Sequence, residues 1–277
     1  MLLSKKEVQT LVQKALKEDI GKGDMTALAL IPQNLKGVAT VTLKEEAIIC
    51  GLFLLKYFFP KSFEVTCHYK DGKRIKKNTV LLKIKGNYRI LLERERTFLN
   101  FLGHLSGIAT LTHHFVTSCN NKDIKIMDTR KTTPLLRGLQ KYAVKIGGGS
   151  NHRKGLYDEV LIKENHINAV GGVYKAVSRA HQKYPNKKIE IEVRSLKEVK
   201  EALRASASIL LLDNMSLPHI NKSIKIIKNK AHIEVSGGVT LKNIKKYGHL
   251  KINRISIGAL THSSHCIDLS MWIEKYG

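Results

Sequence analysis

The pattern of hydrophobic and polar positions predicts that the chain starts with a helix and a small sheet. Ser4 stands three residues before Glu7 and ahead of apolar residues at helical spacing, so we expect a capped helix over residues 4–19. Alternation of apolar and polar positions, typical of half-buried strands, follows in three places: residues 37–51, 63–68 and 79–85. This part of the chain is therefore predicted to be a small α+β region.

The rest of the chain changes from a long helical stretch to alternating strands and helices. Residues 88–119 are apolar at helical spacing, and we expect two helices there, separated near residues 103–107. Beyond residue 120, short apolar runs alternate with helical segments. The runs predicted to be strands are residues 124–128, 159–163, 188–193, 208–213, 232–236 and 253–258. Such alternation is typical of a parallel α/β sheet or barrel, and a seventh strand is expected near residues 142–146.

Polar residues follow these strands at the point where each strand ends. These strand exits are residues 128–131, 163–166, 213–214, 236–238 and 258–259. Because α/β barrels place their sites on the rim formed by the carboxyl ends of the strands, we expect these groups to surround one site. The two late exits that contain glycine fit a phosphate cup of backbone amides.

The stretch from residue 127 to 166 is dense in groups that bind anions. Its cations are Arg130, Lys131, Arg137, Lys141, Lys145, Arg153, Lys154 and Lys163. The glycine run at residues 147–149 can bring backbone amides close to a ligand and form a concave anion site. The alternative is that these cations only solvate a surface, but their placement at strand ends favours a site on a rigid scaffold.

Carboxylates on strands that otherwise have a buried pattern need a partner. Glu190 and Glu192 alternate within one predicted strand, and Asp213 ends the next. A buried carboxylate is costly unless it is paired or bound to a metal. Two explanations stay open at this point: a salt bridge to a lysine of the barrel, and a magnesium ion held by few carboxylates together with substrate oxygens.

Composition adds an argument about charge. Of the 277 residues, 48 are Lys or Arg and 23 are Asp or Glu, which gives a net charge of +25. A nucleic-acid-binding protein would concentrate this charge on one face, often with aromatic residues. Here lysines are scattered along the whole chain and aromatic residues make up 6%. We therefore expect no nucleic-acid partner and favour an enzyme with a cationic cleft, with an RNA-binding protein as the alternative from a different class.

The cysteines and the apolar runs bear on the compartment. Cys50, Cys67, Cys119 and Cys266 lie far apart without a C-x-x-C pair, which argues against a zinc knuckle or a disulfide framework and fits a reducing cytoplasm. No run approaches the roughly 18 apolar residues of a membrane span. The N-terminus has no signal-peptide layout. The sequence thus predicts a cytoplasmic protein without a membrane partner.

Longer blocks of residues between positions 95 and 263 form a specific pattern. The blocks are Glu95-Arg96-Thr97, Leu105-Ser106-Gly107-Ile108-Ala109-Thr110, Asp128-Thr129-Arg130-Lys131-Thr132-Thr133-Pro134, Lys141-Tyr142-Ala143-Val144, Gly147-Gly148-Gly149 with Asn151-His152-Arg153, Leu161-Ile162-Lys163, Asn165-His166, Leu211-Leu212-Asp213-Asn214, Ser236-Gly237-Gly238 and Gly258-Ala259-Leu260-Thr261-His262-Ser263. This pattern resembles the quinolinate phosphoribosyltransferases, also called nicotinate-nucleotide pyrophosphorylases (carboxylating). Leu135 departs from the glycine that the family often has there, and the residues before 95 match only in general layout.

The resemblance implies a fold and a reaction. The expected fold is an incomplete α/β barrel of about six to seven parallel strands with a smaller N-terminal α+β sandwich domain. The expected domains are residues 1–106 and 107–265, with residues 266–277 packed on the first. The expected reaction transfers phosphoribosyl from phosphoribosyl pyrophosphate to quinolinate with decarboxylation. It gives nicotinate mononucleotide, pyrophosphate and carbon dioxide, belongs to NAD biosynthesis and uses Mg²⁺.

The resemblance also assigns site residues. Quinolinate would be bound by Arg130, His152, Arg153 and Lys163, with Arg96 supplied by a neighbouring subunit, which implies a homodimer with shared active sites, or a hexamer. The expected catalytic groups are Lys131 at the pyrophosphate, and Glu192 and Asp213 at the magnesium and ribose. The remaining substrate-binding residues are Thr129, Ser236, Gly237, Gly238, Gly258 and Ala259. The alternative enzyme is a phosphoribosyltransferase of the same barrel type that acts on nicotinate. The histidines His104, His113, His114 and His262 are expected to be structural.

Overall fold

The computed structural model describes residues 4–276. Its helices are α1 (Lys5–Ile20), α2 (Met25–Leu30), α3 (Leu55–Phe58), α4 (Tyr88–Cys119), α5 (Arg137–Ile146), α6 (Glu164–Val170), α7 (Val173–Lys183), α8 (Leu196–Arg204), α9 (Leu217–Ile227) and α10 (Ala259–His262). Its strands are β1 (Lys36–Leu43), β2 (Ala47–Ile48), β3 (Glu64–Cys67), β4 (Arg74–Ile75), β5 (Val80–Asn87), β6 (Lys125–Met127), β7 (Val160–Ile162), β8 (Ile189–Val193), β9 (Ile209–Asp213), β10 (His232–Ser236), β11 (Arg254–Ser256) and β12 (Leu269–Tyr276). Within residues 4–276, no helix combines the length and the apolar character that crossing a bilayer requires.

The chain forms two compact units. Unit 1 comprises Met1–His113, Pro134–Gly148 and Ser263–Gly277, and unit 2 comprises His114–Thr133 and Gly149–His262. Each unit carries a sheet of its own. The domain boundaries expected from the resemblance stay a prediction.

The first helix begins with a reciprocal cap. The Ser4 hydroxyl accepts a hydrogen bond from the Glu7 backbone N–H at 3.2 Å, and the Glu7 carboxylate accepts one from the Ser4 backbone N–H at 2.6 Å. The two bonds satisfy amides that a helix start leaves without intrahelical partners. The side chains of Val8 and Val12 on α1 are fully buried. The predicted capped helix is confirmed.

The cap gives a first testable expectation. Ser4→Ala removes the hydroxyl acceptor and should lower the free energy of unfolding by about 1 kcal/mol. Urea denaturation followed by circular dichroism measures the change. Ser4→Asp, which keeps an acceptor at this position, should stay close to the wild-type value. A Ser4→Ala variant as stable as wild type would contradict the contribution of the cap.

Unit 1 is built on a four-stranded antiparallel sheet in the order β12-β1-β5-β3. Side chains alternate between buried and less buried along β1, with Ala39, Val41 and Leu43 fully buried. This period of two places one face of the strand on the core and explains why the sequence pattern located the strand. The predicted strands of this region are confirmed at β1, β2, β3 and β5.

Helix α4 is continuous over 32 residues, so the predicted break near residues 103–107 is wrong. Gly103 and Gly107 serve a close contact with a later part of the chain instead. A Cβ atom on Gly107 would lie 1.7 Å from the carbonyl oxygen of His265, and one on Gly103 would lie 2.6 Å from that of Ile267. Only glycine allows the backbone to approach the helix so closely.

Residues 142–146 belong to helix α5, so the expected seventh strand at this place is wrong. The following glycine run ends the helix and does not form the expected anion-binding turn. The amides of Gly147 and Gly148 donate to the carbonyls of Ala143 and Lys145. A Cβ atom on Gly147 would lie 2.3 Å from the carbonyl oxygen of Ala109, which shows a packing role.

Unit 2 is built on a six-stranded parallel sheet in the order β6-β11-β10-β9-β8-β7. All six strands lie where the alternation of apolar runs and helices predicted them. Beside β6, Ser150 forms a single parallel bridge to Met127 in place of a further strand. The mixed α/β fold with a separate small antiparallel sheet confirms the predicted fold class.

The parallel sheet is strongly curved. Arg254 on β11 bonds to Glu190 on β8 at 2.8 Å, although β10 and β9 lie between these two strands. Neighbouring strands are about 4.8 Å apart, so the same two side chains would start about 14 Å apart in a flat sheet. The strands therefore enclose an interior, as in a barrel, and side chains at alternate positions point into it.

Candidate active site

A cavity of about 720 Å³ opens at the carboxyl ends of the parallel strands of unit 2. Nearly all residues that the resemblance assigned to the site line this one cavity. They are Thr129, Arg130, Lys131, His152, Arg153, Lys163, Glu192, Asp213, Ser236, Gly237, Gly238, Gly258 and Ala259. Its volume suits a small-molecule site. The structure thus brings these side chains together, and their individual roles stay predictions.

Arg96 is the predicted site residue that does not line this cavity. It lies on α4 in unit 1, where its side chain is 67% exposed and its guanidinium lies 3.8 Å from the carboxylate of Glu95. Exposure on a helix is what a residue that reaches another molecule requires. The role of Arg96 in the pocket of a neighbouring subunit stays a prediction.

Asp128 organises the segment that carries two of the cationic groups. Its side chain is fully buried at the end of β6 and accepts hydrogen bonds from the Asn151 amide at 2.5 Å and from the His152 backbone N–H at 2.9 Å. The Arg153 guanidinium then donates to the carbonyl of Glu159 at 3.1 Å. These bonds fix the direction of the His152 and Arg153 side chains. Burial, together with the like charge of Arg130, lowers the pKa of Arg153, as expected where cations are gathered for an anion.

Four ionisable side chains come together inside the barrel, and two of them, His152 and Glu234, also line the cavity. Arg254 bonds to Glu190 at 2.8 Å and also forms an ion pair with Glu234. The Nε2 atom of His152 lies 3.5 Å from the Glu190 carboxylate and 3.4 Å from that of Glu234. We call His152, Glu190, Glu234 and Arg254 the interior cluster. The carboxylate alternative left open by the sequence is resolved for Glu190, whose partners are an arginine and a histidine and not a lysine.

The interior cluster sets the charge of His152. Burial alone would lower the pKa of His152, but hydrogen bonds to Glu190 and Glu234 and their negative charges outweigh burial and raise the pKa to about 9. The Nδ1 atom also lies 2.8 Å from the backbone nitrogen of Arg153, a contact that on its own favours a neutral ring. The carboxylates carry more weight because both are buried and lie within 3.5 Å of the Nε2 atom. His152 therefore adds a cation to the cavity wall.

Two strand-end carboxylates of the cavity are each engaged by a cation. Glu192 at the end of β8 accepts from Lys163, which follows β7, at 2.5 Å. Asp213 at the end of β9 accepts from the Nε atom of Arg194 at 3.3 Å. Because Glu192 is paired with Leu211 and Asp213 stands two residues further on, both carboxylates point to the same side of the sheet.

Glycines bring backbone and side chains close together on the opposite wall. Gly237 has a φ of +93°, and a Cβ atom there would lie 2.1 Å from the side-chain oxygen of Asn214. A Cβ atom on Gly258 would lie 3.0 Å from Lys131 and 3.1 Å from His262. The Thr261 hydroxyl also donates to the Lys131 carbonyl at 2.7 Å and fixes the backbone at this lysine. Any larger residue at positions 237 and 258 would disturb this wall.

Among the lining residues without a binding or catalytic role in the sequence-based assignment, three have ionisable side chains: Arg194, Glu234 and His262. Arg194 follows β8 directly, so the strand-exit rule that selected residues 128–131 could have found it. Glu234 stands at an inward position of β10, a position that strand periodicity could have indicated. His262 was expected to be structural and also lines the cavity. Its place three residues after the strand exit at residues 258–259 could have separated it from His104, His113 and His114.

The described residues contain a group of three metal-ligating side chains within 4.8 Å of one another, His152, Glu159 and Glu190. The guanidinium of Arg254 on Glu190 opposes a cation at that place. Glu192 and Asp213 offer only two carboxylates. This number fits magnesium, which binds through one or two carboxylates and takes its other ligands from water and substrate phosphates.

The curved parallel sheet, with cations and two carboxylates around a cavity at its strand ends, defines an α/β-barrel enzyme for anionic substrates. Models of two domains match the chain: quinolinate phosphoribosyl transferase, N-terminal domain, over residues 24–106, and the C-terminal domain of the same name over residues 108–272. The chain belongs to the quinolinate phosphoribosyltransferase family.

Individual relatives agree along almost the full length. A probable nicotinate-nucleotide pyrophosphorylase [carboxylating] of Methanocaldococcus jannaschii is 43% identical, covering 96% of this chain and 97% of the relative. A Bacillus subtilis protein of the same description is 37% identical over 96% of this chain and 93% of its own. The solved structure of nicotinate-nucleotide pyrophosphorylase from Francisella tularensis superposes with a TM-score of 0.93 at 39% identity, over 98% of both chains.

Proposed function

We propose that this chain is a decarboxylating quinolinate phosphoribosyltransferase of NAD biosynthesis. It transfers phosphoribosyl from phosphoribosyl pyrophosphate to quinolinate and releases pyrophosphate and carbon dioxide. The observation that carries this proposal is the gathering of Arg130, His152, Arg153 and Lys163 in one cavity. Quinolinate has two adjacent carboxylates, and a pocket for it needs fixed cations, among which the bidentate fork of arginine binds carboxylates best.

The quinolinate pocket is completed by a second copy of the chain in this proposal. Arg96 is exposed on α4 and would reach the pocket of a neighbouring subunit. An interface that uses the same surface on both copies gives a twofold-symmetric dimer. A homodimer with shared active sites is therefore proposed, and a hexamer would be an assembly of such dimers.

The phosphoribosyl pyrophosphate would lie on the other walls of the cavity. Ser236, Gly237 and Gly238, with Gly258 and Ala259, offer backbone amides for the 5-phosphate. Lys131, held beside Gly258, would bind the pyrophosphate. Thr129 stands two residues before it, and its hydroxyl accepts from the Lys131 backbone N–H at 3.0 Å.

Glu192 and Asp213 would hold magnesium and face the ribose. Their oxygen donors suit a hard cation, and each already lies within ion-pair distance of a positive group, Lys163 for Glu192 and Arg194 for Asp213. The chemistry that magnesium supplies when bound is neutralisation of charge on the pyrophosphate. The two carboxylates also stabilise positive charge that develops on the ribose as pyrophosphate departs.

The order of bond changes follows from this arrangement. The pyridine nitrogen of quinolinate forms a bond to the anomeric carbon, and the bond from that carbon to pyrophosphate breaks. Lys131 stabilises the leaving group, and the cations of the pocket hold the nitrogen in line, so positioning supplies much of the rate. The adjacent carboxylate then leaves as carbon dioxide, and the electron pair of the broken bond stays on the ring carbon, where the positive charge of the quaternary nitrogen stabilises it. The ring carbon takes up a proton in its place.

A coupled assay of pyrophosphate and carbon dioxide tests the proposal. Purified protein with quinolinate, phosphoribosyl pyrophosphate and Mg²⁺ should release both products in equal amounts. Nicotinate in place of quinolinate should give a kcat/KM lower by about two orders of magnitude or more, since one carboxylate and its cation contacts are lost. Equal or better use of nicotinate would favour the alternative enzyme. Tight, steeply salt-dependent RNA binding without turnover would favour the RNA-binding alternative.

A further inference from the structure

Arg194 links two carboxylates across three strand ends of the barrel. Its Nη1 atom lies 2.5 Å from the carboxylate of Glu164, the first residue of α6 after β7, and its Nε atom lies 3.3 Å from Asp213 at the end of β9. Arg194 itself directly follows β8 and lines the cavity. The Arg194 guanidinium thus binds Asp213, the carboxylate to which the proposed function assigns the metal and the ribose.

The backbone of Arg194 is fixed, while its side chain has room to move. The Arg194 N–H donates to the Glu198 carboxylate at 2.6 Å, and the Ser195 hydroxyl caps α8 by accepting from the Glu198 N–H. The side chain of Arg194 is 48% exposed and that of Glu164 is 55% exposed, whereas Asp213 is 15% exposed. The contact with Asp213 is longer than the contact with Glu164, so the guanidinium can leave Asp213 and keep Glu164.

A divalent cation and this guanidinium are in conflict at Asp213. An oxygen-bound magnesium lies about 2.1 Å from its ligand oxygen, and Arg194 places a positive charge 3.3 Å from the same carboxylate. The metal ion and the guanidinium would repel each other, and a carboxylate oxygen that already interacts with one cation binds the other less strongly. Glu192, by comparison, is engaged by Lys163, which the proposed function uses for quinolinate.

We propose that Arg194 competes with the divalent cation for Asp213, so that it holds the carboxylate in the ligand-free enzyme and swings toward Glu164 when the metal arrives. This inference rests on the proposed role of Asp213 as a metal ligand. Its consequence is that the free enzyme binds the divalent cation weakly. The metal then binds well only together with the pyrophosphate substrate, whose negative charges offset the guanidinium.

Mn²⁺ binding to the substrate-free enzyme measures the competition directly. Free Mn²⁺ is followed by its electron paramagnetic resonance signal during titration, in the full-length protein without substrates. Arg194→Gln should lower the Kd for Mn²⁺ roughly tenfold, because the competitor for Asp213 is gone. Arg204→Gln, which removes an arginine from the exposed end of α8, should leave the Kd unchanged.

A second control separates competition from the general loss of a positive charge. Lys131→Gln also removes a cation from the same cavity, but the backbone of Lys131 is held by hydrogen bonds to Thr129 and Thr261. It should lower the Kd for Mn²⁺ less than threefold, and the remaining change should fade at higher ionic strength. If Lys131→Gln tightens binding as much as Arg194→Gln, a general field effect explains both and the competition is overturned.

Glu164 provides a test that a purely structural role would not satisfy. Glu164→Gln removes the alternative partner of Arg194 and should weaken Mn²⁺ binding by about threefold in the wild-type background. In the Arg194→Gln background the same change should have a smaller effect, because Glu164 acts through Arg194. Equal effects in the two backgrounds would contradict the swing toward Glu164.

Asp213→Asn distinguishes failure of this inference from failure of the proposed metal site. If Asp213→Asn weakens Mn²⁺ binding while Arg194→Gln does not tighten it, Asp213 is a ligand and the competition is wrong. If Asp213→Asn leaves the Kd unchanged, the proposed ligand is wrong and the inference fails with it. Turnover of quinolinate by the wild-type protein is measured separately, and it tests the proposed reaction whatever the two Mn²⁺ titrations give.

Discussion

Arg130→Ala and Lys163→Ala are each expected to raise the KM for quinolinate on the order of a hundredfold or more. Truncating one partner of a desolvated, charge-assisted hydrogen bond costs about 2–5 kcal/mol, and 1.4 kcal/mol corresponds to about a factor of ten. Both residues line the cavity, and Arg153 and His152 add further cations there. Steady-state kinetics at saturating phosphoribosyl pyrophosphate measures the change, with kcat expected to fall less than kcat/KM.

Two further variants show whether charge or geometry at this pocket matters. Arg130→Lys keeps the charge but loses the planar fork, so its KM should lie between those of wild type and Arg130→Ala. Arg204→Ala, on the exposed end of α8, should leave both constants unchanged. Lys163→Ala also removes the partner of Glu192, so the KM for phosphoribosyl pyrophosphate should change as well. Wild-type KM values for quinolinate in Arg130→Ala and Lys163→Ala would remove the pocket assignment.

The six strands of the parallel sheet were predictable because each one is a short apolar run between helical segments. Ile189, Ile191 and Val193 are fully buried on β8, and Leu210 and Leu212 on β9, so sequence alone marks them as interior. The strand exits were predictable for the same reason, since polar residues that interrupt such runs must lie at the ends. This explains why most site residues of the resemblance fall on one cavity.

The errors at the glycines arise from contacts between residues distant in the chain. Gly103 and Gly107 look like helix breakers in sequence, yet they allow the backbone at residues 265–267 to pack against an unbroken α4. The glycine run after α5 looks like an anion site, but its first member packs against Ala109. Local propensity contains no information on such partners, so tertiary packing overrides it.

The ion pairs inside the barrel could not be predicted from the sequence either. The sequence indicates that Glu190 needs a partner, but curvature of the sheet decides that the partner is Arg254, on a strand three positions away. Arg194 could be placed at a strand exit, whereas its bonds to Glu164 and Asp213 depend on how three exits are arranged in space. Most residues of the site can therefore be predicted from the sequence, whereas the ion pairs between them cannot.

Arg254→Met is expected to lower the free energy of unfolding by about 3–5 kcal/mol at pH 7. The Glu190 and Glu234 side chains are 2% and 0% exposed, and Arg254 forms ion pairs with both. Without the guanidinium, two buried carboxylates share His152 as their remaining partner within the interior cluster. Burial already raises the pKa of Glu190 in the intact protein. Urea denaturation measures the loss, with Arg204→Met as the exposed control that should change stability little.

Two measurements distinguish loss of charge from loss of packing volume as the cause: the pH dependence of the stability, and rescue by a second substitution. Burial raises the pKa of Glu190, and loss of the guanidinium removes an interaction that opposes this shift, so in Arg254→Met this carboxyl binds a proton more readily in the folded than in the unfolded chain. The deficit should therefore narrow as the pH falls toward 5. Adding Glu190→Gln to Arg254→Met leaves one carboxylate facing the His152 cation and should recover at least half of the loss. A deficit that is constant with pH, or a double variant less stable than Arg254→Met, would show that packing dominates. A buried ion cluster can often be replaced by apolar residues at little cost in stability, so stability alone does not explain why the protein keeps one. If the double variant recovers its stability but binds quinolinate poorly, the cluster is needed for the positive charge that it gives to His152.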